Sequence, residues 1–148
     1  IEFYEKVEKR IPQGPMKSAL KKQLALIYWA QKDHKKSQDI RWSYMLEVPE
    51  DTAEFNNLIV HYYHLGLWQE IVSKYETYPL REKIEPTASE PNVWFWIASG
   101  YMETGQLKEA RSYYVKFLAT YPPASKIEKG KVENIISAID AELAKNGK

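Results

Sequence analysis

Two histidines three positions apart, His61 and His64, are the first residues in this chain whose types and spacing could do chemistry. On a helix they share one face, and a divalent metal is held from such a face. A working metal site needs three or four converging ligands. His34 and Glu103 are the candidates to complete the set, and no spacing ties either of them to the pair. No metal or cofactor is therefore expected. Cysteine is absent, which removes disulfides, thiolate zinc sites and thiol nucleophiles. No Ser–His–Asp order, Gly-rich phosphate loop or carboxylate pair on a defined scaffold can be found. The chain reads as non-catalytic.

Charge narrows the partners. The 148 residues carry 21 Lys and Arg against 20 Asp and Glu, a net charge of +1. No bulk field draws in DNA or RNA, so no nucleic acid is expected. The lysines at "KKQ" (from Lys21) and "KDHKK" (from Lys32) make one segment basic. They read first as a solvated face, and second as a surface for a partner with an acidic tail. No apolar run approaches the ~20 residues of a membrane span, so this segment is not expected to insert in a bilayer. No targeting signal is visible. Because the chain begins at Ile1 rather than Met, it is expected to be a fragment or a processed form. Cytoplasm and periplasm both remain open as compartments. Aromatic residues, 11 Tyr and 5 Trp among them, suit both helix packing and binding surfaces.

These side chains need elements to position them. Proline and glycine punctuate the chain at Arg10–Pro15, Val48–Thr52, Tyr78–Asn92 and Tyr121–Ser125. Between the breaks the apolar residues recur with a helical period. Leu20, Leu24, Ile27 and Tyr28 share one face; Phe55, Leu58, Ile59 and Tyr62 share another. Val132, Ile135, Ile136, Ile139 and Leu143 form a third, with Lys and Glu between them. Within the long segments, Gly66 and Gly105 stand where one helix would end and another begin, and "QKDHKK" (Gln31–Lys36) is the polar equivalent. The spacing predicts helical hairpins throughout, each needing a neighbour to bury its second face.

The hairpins also resemble one another. In residues 92–123, Trp94, Ile97, Ala98, Tyr101, Gly105, Ala110, Tyr114 and Pro122 follow the pattern W-x2-L-G-x2-Y, A-x3-F, P. Phe55, Leu58, Tyr62, Gly66, Trp68 and Tyr75 repeat it, with Ile59 and Ile71 at places usually held by small residues. Leu24, Ala25, Tyr28, Ser37 and Pro49 repeat it again, with Arg41 in place of an aromatic. Tyr28, Tyr62 and Tyr101 lie 34 and 39 residues apart. The chain thus resembles the tetratricopeptide repeat family. The resemblance implies an all-α fold, a right-handed superhelix or α-solenoid, built as one domain over residues 1–148. Residues 1–12 are the second helix of a partial repeat or an N-terminal helix. Repeats follow at 16–49, 52–79 and 92–123, with a Pro-rich insertion at 80–91 and a capping helix at 125–146.

The same resemblance implies a non-catalytic scaffold or adaptor that holds a peptide or partner protein in a concave groove. The first helix of each hairpin would line that groove. It would present Lys22, Leu26 and Trp29, then Asn56, Val60, Tyr63 and His64, then Phe95, Ser99, Met102 and Glu103, with Trp96 at the edge. Members of the family that clamp a C-terminal carboxylate use a Lys, Asn and Arg set. Lys22 and Asn57 match it while Leu26, Asn92 and Trp96 do not, so an apolar peptide or a folded partner is expected instead. The alternatives are a regulatory or docking domain of a larger enzyme or membrane protein, and a self-association module.

Overall fold

The computed structural model describes residues 15–146, together with Lys6 and Lys9. The helix expected over residues 1–12 otherwise lies outside the described residues. Among the described residues the fold is all-helical, with no strand. Seven α-helices follow in order: α1 Pro15–Ala30, α2 His34–Glu47, α3 Thr52–His64, α4 Trp68–Thr77, α5 Val93–Glu103, α6 Leu107–Ala119 and α7 Lys129–Asn146. Chain neighbours pack together: α1 on α2, α4 on α5, α5 on α6, and α6 on α7. The chain forms two compact units, Ile1–Leu58 and Ile59–Lys148, with the division inside α3.

One turn closes all three hairpins. After α1, the Asp33 N–H donates to the Tyr28 carbonyl at 3.0 Å and the Lys32 N–H to that of Trp29 at 3.0 Å. After α3, Leu67 donates to Tyr62 and Gly66 to Tyr63; after α5, Gln106 donates to Tyr101 and Gly105 to Met102. These paired bonds satisfy helix-end carbonyls and require one left-handed residue. Gly66 (φ 69°) and Gly105 (φ 81°) supply it without strain, whereas Lys32 adopts φ 64° with a side chain attached. Lys32→Gly is therefore expected to stabilise the chain by about 0.5–1 kcal/mol, less if the freer unfolded glycine offsets the gain. Urea denaturation of the two proteins measures it.

In the first unit a polar network reinforces the hairpin. Ser37 on α2 donates to the buried Ala25 carbonyl of α1 at 2.7 Å. Glu47 accepts from Lys21 and Ser18 of α1. Asp51 caps α3 by accepting from the Glu54 N–H at 3.2 Å, and it also takes the Tyr44 hydroxyl at 2.6 Å and Lys22 at 3.3 Å. Glu54 stands where a capping-box acid would fold back on its own helix. It turns instead to Arg41 of α2, and the two form an ion pair with side chains only 8% and 5% exposed.

This network sets a pH window. Burial pushes the Glu47 carboxyl upward, but Lys21 and Ser18 outweigh it and hold it below its ordinary value of 4.5. Burial likewise works against Asp51, and Tyr44, the Glu54 N–H and Lys22 together hold it below 3.8. A depressed carboxylate stabilises the fold above its unfolded pKa, and the contribution disappears as pH falls through the folded value. On the alkaline side, burial is the main cause that raises the phenols of Tyr44, Tyr75 and Tyr101 above the ordinary value of 10.0. Hydrogen bonds to Asp51, Tyr113 and Glu76, respectively, add to it. Those groups stabilise below pH 10 and lose their contribution above it. Melting temperature against pH is thus expected to show a plateau that falls below about pH 4.5 and above about pH 10.

The second unit packs rings and small residues. Val93, Trp94, Ile97, Ala98, Tyr101, Ala110, Tyr114 and Phe117 are buried between α5 and α6. Trp94 stacks on Tyr113 at 5.9 Å, Tyr113 stacks on Tyr101 at 5.3 Å, and Tyr75 of α4 meets Tyr113 edge-on at 5.3 Å. Such offset and edge geometries each add about 0.5–1.5 kcal/mol beyond area burial. Gly100 lets α5 approach α4 closely: a Cβ there would lie 2.7 Å from Ile71 Cγ2 and 3.4 Å from the Trp68 carbonyl oxygen. Helix α7 closes on α6 with Val132 and Ile139 buried, and Arg111 pairs with Asp140.

Candidate functional site

In the second unit a group of aromatic residues that the core leaves partly uncovered gathers at one place. Tyr63 and His64 end α3, and Trp68 begins α4 across the tight turn. Tyr63 meets Trp68 edge-on at 5.4 Å and His64 at 5.6 Å. Trp96, on the first turns of α5, lies 4.3 Å from the Tyr63 ring and 6.1 Å from that of His64. Tyr63, Trp68 and Trp96 all remain partly accessible, and His64 is exposed.

The Pro-rich stretch orients Trp96. Arg81–Lys83 form a 3-10 turn and Ile84 is buried. Thr87 and Glu90 close a small turn, the Glu90 N–H donating to Thr87 Oγ1 at 3.0 Å. The turn aims the buried Glu90 carboxylate at α5, where it accepts the Trp96 indole N–H at 2.6 Å. That bond fixes the indole plane, so the ring stands beside Tyr63 as a preset surface.

Farther along α5, Ser99 donates to the Phe95 carbonyl at 2.8 Å and lies 3.1 Å from the Tyr114 hydroxyl. Burial is the main cause that raises the Tyr114 phenol above its ordinary value. Met102 borders an open cleft of about 650 Å³ whose other wall is the start of α7, including Lys131, Asn134 and Ile135. A thioether at the rim adapts to varied apolar shapes. In the first unit, Trp29 packs on His34 across the first hairpin turn at 4.3 Å, and Leu26 is 56% exposed. Lys22 is half exposed and paired with Asp51.

The residues expected to line a groove thus divide by accessibility. Lys22, Leu26, Trp29, Tyr63, His64, Met102 and Glu103 reach solvent to differing degrees. Asn56, Val60, Phe95 and Ser99 are buried, with Asn56 at 0% exposure. Of these, Phe95 meets Trp96 edge-on at 5.4 Å and so backs its partly accessible ring. The reading by helical spacing passed over Trp68, Glu90 and the α7 residues. For Trp68 a signal existed: it follows Tyr63 by five positions, as His34 follows Trp29, and both pairs bridge a turn.

Among the described residues, no group of three His, Asp or Glu is placed to hold a metal ion. No helix there is long and apolar enough to cross a membrane. The accessible rings, half-wet with one fixed polar contact, suit adhesion to another apolar surface. Comparison of the chain with protein families, curated proteins and solved structures finds no match.

Proposed function

We infer that this chain is a non-catalytic interaction module. Its hairpins stack as in tetratricopeptide repeats, forming a right-handed superhelix, and its inner face holds a peptide or a partner protein. Support for the repeat reading comes from the single turn geometry recurring at Lys32, Gly66 and Gly105, each time closing on a tyrosine carbonyl. Support for binding comes from one observation: Tyr63, Trp68 and Trp96 meet ring to ring at accessible positions. Rings held in this way are rigid and lose little entropy on contact, which is why aromatic side chains dominate binding hot spots. In the same unit His64, Met102 and Glu103 extend the contact set, and Phe95 supports it from behind; Lys22, Leu26 and Trp29 are contacts that the first unit offers by itself.

Tyr63→Ala tests the reading. The ring is half-exposed, so its loss is expected to lower the melting temperature only slightly while weakening partner affinity about tenfold, the scale of an interface anchor. A partner captured by the intact chain, then purified and titrated calorimetrically against both proteins, gives the comparison. Matched losses of stability and affinity would place Tyr63 in the core and remove the proposal.

A further inference from the structure

Helix α5 breaks the usual electrostatic rule at its end. Its last turn carries Glu103 and no basic residue. A negative charge at the negative end of the helix dipole is unfavourable. Glu103 is exposed and has no ion-pair partner among the described residues. It lines a slot of about 420 Å³ together with Gly66, Leu67, Trp68, Glu70 and Thr104, among others, and no Lys, Arg or His lines that slot. The second carboxylate, Glu70, is already matched. It sits in the first turn of α4, where a negative charge is favoured, and it lies 3.5 Å from Lys74. The uncompensated charge is therefore that of Glu103, placed across from an indole and the 39% exposed Leu67.

We propose that this slot receives a basic side chain, arginine above all, from a partner polypeptide. The inference rests on the interaction reading above and gives that partner its chemistry: a cationic residue within an otherwise apolar segment. The alkyl stem lies on Leu67, the guanidinium stacks on Trp68, and its N–H groups donate to Glu103. Arginine suits the slot better than lysine because its flat, weakly hydrated head stacks on indole and pairs with a carboxylate at once. A terminal carboxylate or a phosphate meets the uncompensated Glu103 charge here and is repelled.

The experiment is an NMR titration of the full ¹⁵N-labelled chain with Nα-acetyl-arginine N-methylamide. The citrulline analogue serves as the neutral isostere and the lysine analogue as a second cation. Saturable shifts are expected at the Trp68 indole N–H and the Glu103 and Thr104 amides, strongest with arginine and absent with citrulline. Glu103→Gln is expected to weaken arginine binding about fivefold, the upper range for an exposed ion pair. The same substitution is expected to raise the melting temperature of the free chain, because it relieves the helix end. Equal shifts with citrulline, unchanged binding by Glu103→Gln, or no saturable shift at all would each overturn the proposal. Loss of partner binding in Tyr63→Ala alongside a failed arginine titration would sink only the slot and leave the broader reading standing.

Discussion

Arg41→Leu is expected to cost the fold about 3–5 kcal/mol, because it leaves the Glu54 carboxylate buried without its cation. Both side chains are almost wholly enclosed, so water cannot replace the lost partner. A weak contact from Asn57 Nδ2, at 3.4 Å, also reaches Glu54, and it does not neutralise a charge. Removing both ends together distinguishes this account from simple loss of packing. Arg41→Leu combined with Glu54→Leu is expected to recover most of the loss, since a well-filled apolar pair is often as stable as a buried ion pair. Urea melts of the two single variants and the double variant form the cycle. A double variant as unstable as the summed singles would show that the pair's volume, not its charge, holds α2 and α3 together.

Gly100→Val is expected to cost about 3 kcal/mol, the upper range for overpacking a close contact. The new Cβ would enter the space of Ile71 Cγ2 and Cβ, at 2.7 and 2.9 Å. Ile71 is fully buried and β-branched on a helix, so its side chain has one comfortable rotamer and cannot swing aside. The helices would have to separate, which strips contacts from the tyrosines around Tyr75. Gly105→Ala provides the contrast. Its Cβ meets nothing within 4 Å, so only the left-handed backbone resists, at about 1 kcal/mol. Thermal denaturation ranks the two, and a Gly100 variant no worse than the Gly105 variant would refute the close-approach account.

Much of this architecture can be read from residue spacing, and the exceptions have physical causes. Periodicity makes the all-helical class legible, and Gly66 and Gly105 mark two of the turns, because only a left-handed residue fills those positions comfortably. Lys32 performs the same task without the marker, so a polar run had to stand in for it. Arg41 breaks the aromatic pattern for a reason invisible locally: its partner Glu54 sits 13 positions away, on another helix. The role of Gly100 depends on what faces it, which spacing along one helix does not reveal. Asn56 and Ser99 misled for a related reason. Polar side chains at helical intervals look solvated, yet Ser99 satisfies itself on the Phe95 carbonyl one turn back and stays inside. Spacing puts Trp96 at the edge of the expected surface, and its fixed orientation comes from Glu90, in a loop whose turn no periodicity describes.

The continuous contact among Tyr75, Tyr101, Tyr113 and Trp94 also makes the chain its own optical gauge. Phenol excited states this near an indole transfer their energy to it, so the native emission of this cluster belongs to Trp94. When the rings part, tyrosine light returns at shorter wavelength, and the opening of the α4–α5–α6 packing can be watched without attaching a dye.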